Sequence, residues 1–99
     1  MPRLKRQARN QMVLRDVNER IARLADAYRV FREPYDFLCE CSVTGCRTTV
    51  RATIGEYDLV RSHPSTWIVA PSHDDQEREQ IVYRTDRFAV VRVSHYAPR

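Results

Sequence analysis

The three cysteines of the chain lie close together, at Cys39, Cys41 and Cys46. Two cysteines at i and i+2 of an extended segment point to the same side, and a turn that contains Gly45 can bring the third sulfur back toward them. Zinc prefers four tetrahedral ligands drawn from cysteine and histidine. The spacing therefore predicts a zinc-finger-like knuckle that supplies three thiolates and needs a fourth ligand from elsewhere in the chain.

Three histidines are available as the fourth ligand. His73 stands in a polar loop directly after a predicted buried strand, from which its side chain can reach back over a sheet edge, and we favour it. His63 and His95 are the alternatives. If no histidine bound the metal, water or Asp74 would fill the fourth position, and such an open site could activate water. We predict one structural Zn²⁺, with the ligands Cys39, Cys41, Cys46 and His73.

The other interpretation of the cysteines is that they are small apolar core residues, as free cysteines often are. A disulfide between Cys39 and Cys41 is disfavoured because so small a ring strains the bridge. The chain has no apolar run near the ~20 residues that span a bilayer and no signal-peptide core. We therefore expect a cytoplasmic protein with no membrane partner. Thiols stay reduced in the cytoplasm, which favours metal binding.

Two resemblances support the zinc interpretation. Phe37 to Arg47, with its Cys-x-Cys-x4-Cys-Arg pattern, resembles the post-SET knuckle of SET-domain lysine methyltransferases, which implies zinc ligation by Cys39, Cys41 and Cys46. The catalytic pattern of those enzymes is absent, so methyl transfer is not implied.

The second resemblance is carried by five segments: Val17-Asn18-Glu19-Arg20-Ile21, Phe37-Leu38-Cys39-Glu40-Cys41, Ile54-x-Glu56-Tyr57-x-x-Val60-Arg61, Ala70-Pro71-x-His73 and Asp86-Arg87-Phe88-x-Val90-Val91. In these segments, which cover most of its length, the chain resembles a group of small actinobacterial proteins of unknown function. This resemblance implies pairing of the knuckle with His73, and it implies no activity.

The sequence favours a non-enzyme, with no catalytic residues and no organic cofactor. Ser72, His73 and Asp74 have the residue types of a hydrolytic triad, but neighbours in sequence diverge and cannot converge on one another. The chain has only two glycines, Gly45 and Gly55, and no glycine-rich loop that could cradle a phosphate.

Apolar residues recur at helical spacing in the first third of the chain, and Pro34 ends the pattern. We predict a helix over residues 11–32, preceded by a basic, flexible arm over residues 1–10. The apolar stripe is expected to pack on the chain's own sheet, and dimerisation through the helix is the alternative. Its members are Leu4, Ala8, Met12, Leu14, Val17, Ile21, Leu24, Tyr28 and Phe31.

The rest of the chain, residues 36–96, is expected to form the zinc-knuckle body of a single α+β domain over residues 1–99. The predicted order is helix, strand, strand, helix, strand, strand, strand, and a capping box from Thr53 to Glu56 opens the second helix. The fold is a long N-terminal amphipathic helix on a small antiparallel sheet. The predicted core residues are Val50, Ile54, Trp67, Ile68, Val69, Val82, Phe88 and Val90.

The formal charge of +4 is unevenly distributed. Residues 1–32 hold nine Lys and Arg against three Asp and Glu, whereas residues 33–99 hold eight against ten. A basic segment suits an acidic partner. We expect a regulatory interaction module that binds a protein, in transcription or signalling. The alternative is nucleic-acid binding, although aromatic residues are not interleaved with the basic ones. The residues of that alternative are Arg3, Lys5, Arg6, Arg9, Arg15, Arg20 and Arg23.

Overall fold

Helices and strands follow one another along the chain in the predicted order, in a computed structural model that describes residues 3–27, 34–43 and 45–93. Side chains of the first helix are described for residues 11–24. The predicted α+β class is confirmed. The elements are α1 (Arg3–Ala27), β1 (Tyr35–Leu38), β2 (Thr49–Ala52), α2 (Ile54–Arg61), β3 (Thr66–Val69), β4 (Glu79–Arg84) and β5 (Ala89–Val93).

The described strands form two antiparallel sheets rather than the single predicted sheet. One sheet pairs β1 with β2, and the other has the order β3-β5-β4. The two sheets meet at Glu40, which follows β1. The Glu40 amide donates to the Ile68 carbonyl at 2.7 Å, and the Ile68 amide donates to Glu40 Oε1 at 2.9 Å. The main chain and the side chain of Glu40 therefore form, at one edge of β3, the two hydrogen bonds that a further strand would otherwise provide.

The predicted capping box is present at the start of α2. The Glu56 amide donates to Thr53 Oγ1 at 3.1 Å, and the Thr53 amide donates to Glu56 Oε1 at 2.8 Å. These bonds satisfy two backbone donors that the first turn of a helix leaves free. The helix then buries Ile54, Tyr57 and Val60. The predicted hairpin is also confirmed, because β4 pairs antiparallel with β5.

The core lies where the two sheets and α2 meet. The rings of Phe37 and Tyr57 stack there with their centroids 4.6 Å apart. The prediction for Val82 is wrong, since its side chain is 42% exposed. Val82 follows Ile81, which packs against the core, on the edge strand β4, so alternation along the strand turns Val82 to the outer face. The other predicted core residues are buried: Val50, Ile54, Trp67, Ile68, Val69, Phe88 and Val90.

The helix α1 begins at Arg3, whereas the sequence predicts a helix only from residue 11. Flexibility of the basic arm stays a prediction. Tyr28 and Phe31, the last two members of the predicted stripe, lie outside the described residues. In the part of the chain that the structure describes, no helix combines the length and the apolar character of a membrane span.

The helix packs on the body as predicted, but with a different face. Met12 and Leu24 are each 63% exposed and Val17 is 38% exposed, so burial of the apolar stripe is wrong for these three residues. Ile21 packs against the core only in part. Among the side chains of α1 that the structure describes, those of Gln11, Asn18 and Ala22 are buried instead.

The buried face of α1 is polar because it satisfies main-chain groups of the knuckle. Asn18 donates from Nδ2 to the Leu38 carbonyl at 2.9 Å and accepts at Oδ1 from the Leu38 amide at 2.7 Å. Gln11 donates to the Glu40 carbonyl at 3.1 Å and to Glu79 Oε2 at 3.0 Å. A buried polar group without a partner costs about 1–3 kcal/mol, which is as much as burying one more valine contributes. Hydrogen bonding therefore decides the rotation of the helix.

This packing predicts a large loss of stability for a substitution at one residue and almost none for a substitution at its neighbour. Asn18→Ala is expected to lower the free energy of unfolding by about 2–4 kcal/mol, because both main-chain groups of Leu38 and the Glu40 side chain lose a buried partner. Val17→Ala is expected to change it by less than about 0.5 kcal/mol. Urea unfolding at a fixed zinc concentration measures both. Equal losses, or a larger loss for Val17→Ala, would contradict the polar docking of α1.

Candidate metal centre

Four side chains converge on one point between the knuckle and the loop that follows β3. The three cysteine sulfurs and a ring nitrogen of His73 all lie within 4.8 Å of one another. His73 Nδ1 is 3.5 Å from Cys39 Sγ and 3.6 Å from Cys46 Sγ. A tetrahedral zinc ion with Zn–S of about 2.3 Å and Zn–N of about 2.0–2.1 Å holds sulfur and nitrogen about 3.5–3.6 Å apart. These two sulfur–nitrogen distances are therefore compatible with a tetrahedral metal site.

The knuckle presents its sulfurs through extended backbone and one tight turn. The Cys39 amide donates to the Thr48 carbonyl at 3.0 Å, which continues the β1–β2 ladder by one step. Cys39 and Cys41 then lie on the same side of the extended segment. The turn is closed by the Cys46 amide, which donates to the Val43 carbonyl at 3.1 Å. Gly45 has φ 87° in this turn, a conformation that side chains disfavour.

His73 is brought to the cysteines by a turn that starts at the end of β3. Its amide donates to the Ala70 carbonyl at 3.0 Å, with Pro71 in the second position of the turn. Ser72 has φ 69° at the third position, where type II turns normally have glycine. A residue held in this region costs about 1–3 kcal/mol, so surrounding interactions must hold it there. The approach of His73 to the knuckle is one such interaction.

The other candidates for the fourth ligand do not join the cluster in the described structure. His63 is exposed just beyond the end of α2, and its main chain, not its ring, makes the hydrogen bonds found there. Asp74 is not part of the cluster. His95 lies outside the described residues. Of the candidates that can be placed, His73 is the one beside the three sulfurs.

The sulfurs sit in surroundings that favour a bound cation. The Ala70 amide donates to Cys39 Sγ at 3.2 Å. The hydrogen bond with Cys41 and burial both raise the pKa of the Cys39 thiol, whereas that same hydrogen bond lowers the pKa of the Cys41 thiol to about 5. Cys41 therefore ionises readily, and the thiolate is the form that binds metal. Cys39 and Cys41 are buried, while Cys46 and His73 are half-buried.

Glu40, between two of the cysteines, is a residue whose role the sequence analysis missed. Its carboxylate is fully buried and accepts from Asn18 Nδ2 at 2.9 Å and from the Tyr57 hydroxyl at 2.6 Å. Burial raises the pKa of the Glu40 carboxyl, and these hydrogen bonds oppose that rise. The signal was present in the sequence: if Cys39 and Cys41 face the metal, alternation turns the residue between them to the opposite side.

Arg15 is the second residue with a role that the sequence did not indicate. Its guanidinium lies 4.4 Å from the centroid of the Trp67 ring and donates to the carbonyls of His63 and Thr66. It also lies 4.0 Å from Glu40 Oε1, and its side chain is only 11% exposed. Arg15, predicted as a phosphate contact, therefore faces the protein and has little surface to offer a nucleic acid.

The remaining residues of the predicted nucleic-acid set are not brought together into a described site. Arg20 and Arg23 are exposed on α1. The helix also includes Arg3, Lys5, Arg6 and Arg9, whose side chains lie outside the described part of the structure.

Comparison of the chain with protein-family models, with curated proteins and with solved structures finds no match. The resemblances to the post-SET knuckle and to small actinobacterial proteins therefore stay predictions. What is known of the site comes from its own geometry, which is compatible with a bound metal ion.

The geometry predicts one zinc ion per chain. Elemental mass spectrometry of protein purified without chelator is expected to find one equivalent in the natural chain, and His73→Ala is expected to lose most of it because three donors leave the ion open to water and chelators. His63→Ala is the matched control, since it removes an exposed histidine outside the cluster and should keep the metal. Full zinc in His73→Ala, or none in the natural chain, would refute the four-residue site.

Proposed function

We propose that the chain is a non-enzymatic interaction module, stabilised by a structural Zn²⁺, that binds a protein partner in a regulatory role. The observation that carries the proposal is the set of four donors, Cys39, Cys41, Cys46 and His73, whose ligand atoms all lie within 4.8 Å of one another. A zinc ion with four protein ligands has no open position for water or substrate. Such a site supplies folding free energy, not catalysis.

The position of the cluster supports the structural role. Its cysteines belong to the segment that connects β1 with β2, and His73 belongs to the loop between β3 and β4. Zinc would therefore tie the two sheets together at a second point, beside the hydrogen bonds of Glu40 with Ile68. A small domain buries a modest fraction of its surface, so a metal crosslink of this kind is a large part of its stability.

The exposed apolar surface supports a protein partner. Leu59 is 74% exposed and Tyr83 is 58% exposed, and with Val82 they line an apolar groove of about 360 Å³ between α2 and β4. Contiguous apolar surface on a small protein commonly marks an interaction site.

A binding experiment separates this function from nucleic-acid binding. Tagged, zinc-loaded protein is immobilised on a resin and incubated with an extract of the source organism at physiological salt, with and without nuclease treatment. The proposal predicts that a defined protein partner is retained after nuclease treatment and is lost when the bait is Cys39→Ser, whose zinc site is broken.

The matching control tests nucleic acid directly, on heparin and on nonspecific duplex DNA. A variant with alanine at Arg3, Lys5, Arg6 and Arg9 is preferable to a truncation of the arm, because it removes the charges but keeps α1 at its full length, with Gln11 and Arg15 in place. Equal retention of this variant and the natural chain is expected. Salt-sensitive DNA binding that the alanines abolish, together with a partner that nuclease removes, would favour the nucleic-acid function instead.

A further inference from the structure

The docking of α1 leaves a row of apolar side chains on its outer surface. Val13, Val17 and Leu24 are 56%, 38% and 63% exposed, and Arg20 stands among them at the same side of the helix. We call these four residues the α1 seam. A single exposed apolar residue needs no explanation, but a row of them along one helix does.

The seam cannot turn inward without breaking the docking of the helix. Asn18 and Gln11 hold the opposite face by hydrogen bonds to Leu38 and Glu40. Arg15, on the same face, lies against Trp67. Rotating α1 to bury Val17 and Leu24 would leave these buried polar groups without partners. The outward position of the seam is therefore fixed by the fold.

The spacing of the seam is that of a helix–helix contact. Val13, Val17, Arg20 and Leu24 are separated by four, three and four residues, the repeat of the a and d positions in coiled coils. Such a seam is narrower than the apolar face of a helix that lies in a lipid surface. We propose that the α1 seam docks an amphipathic helix of a partner protein, and that this partner helix carries an acidic residue opposite Arg20.

Charge selects an acidic helix over a second copy of the chain. The helix α1 holds seven Lys and Arg against three Asp and Glu. Pairing two copies in parallel would place Arg20 opposite Arg20, and like charges facing each other oppose association. An acidic partner would complement both Arg20 and the excess positive charge of α1. This inference rests on the proposed function, since it names the kind of protein that the module binds.

A charge-reversal experiment tests the inference on the full, zinc-loaded chain. Two labelled synthetic peptides of about three heptads carry the same leucines at their a and d positions. One peptide has glutamate, and the other has lysine, at the position opposite Arg20 and at the positions that flank it. Fluorescence anisotropy is expected to show about tenfold tighter binding of the glutamate peptide to the natural chain. Arg20→Glu, at an exposed position, is expected to reverse the preference.

A matched pair of variants locates the binding surface. Leu24→Ser should weaken binding of the glutamate peptide by about tenfold or more, whereas Met12→Ser, on the same helix and as exposed as Leu24 but outside the seam, should not change it. All variants should keep one zinc, so a failure here with full zinc content would leave the structural metal site standing.

Several results would overturn the inference. They are absence of binding by either peptide, an unchanged preference in Arg20→Glu, and equal losses in Leu24→Ser and Met12→Ser. Self-association in analytical ultracentrifugation that Leu24→Ser abolishes would assign the seam to a second copy. Binding of anionic lipid vesicles without binding of the glutamate peptide would assign it to a membrane surface.

Discussion

The structure depends on the alternation of side chains along one extended tripeptide, Cys39-Glu40-Cys41. Both thiols face the point where His73 and Cys46 also converge. The residue between them must face the other way, and Glu40 therefore enters the interior with a carboxylate that needs partners. Asn18, Tyr57 and the Ile68 amide supply those partners from three different elements. A metal site on one side of the segment thus requires a buried polar cluster on its other side. This cluster consists of Glu40 and its three partners, and we call it the polar hub.

The polar hub explains the unusual docking of the first helix. An amphipathic helix normally buries its apolar face. In this chain the surface that α1 covers has polar groups that need hydrogen-bond partners. Gln11, Arg15 and Asn18 therefore turn inward, and the valines and leucine of the seam turn outward. The metal site and the outer surface of α1 are therefore linked through Glu40: loss of the knuckle would remove the hub that sets the rotation of the helix. Stability and the proposed partner binding would then depend on the same few residues.

Much of this fold could be predicted from the sequence because it follows local rules. The capping box at Thr53, the hairpin between β4 and β5 and the convergence of the cysteines with His73 each rest on residue type and spacing. The rotation of α1 could not be predicted in this way. Periodicity identifies an apolar face, but only tertiary structure shows that Leu38 and Glu40 need hydrogen-bond partners more than the core needs Val17. Val82 was missed for a similar reason, since the apolar pair Ile81 and Val82 does not show in the sequence which of its two members faces the core.

The measurement that tests the account most directly is the X-ray absorption spectrum of the zinc-loaded protein at the zinc edge. A Cys3His site predicts three sulfur ligands at about 2.3 Å and one nitrogen at about 2.0–2.1 Å. The spectrum of His73→Ala should show the nitrogen replaced or the metal lost, and that of His63→Ala should be unchanged. A first shell with fewer than three sulfurs, or with an imidazole signal that survives unchanged in His73→Ala, would contradict the closed structural site on which the account rests.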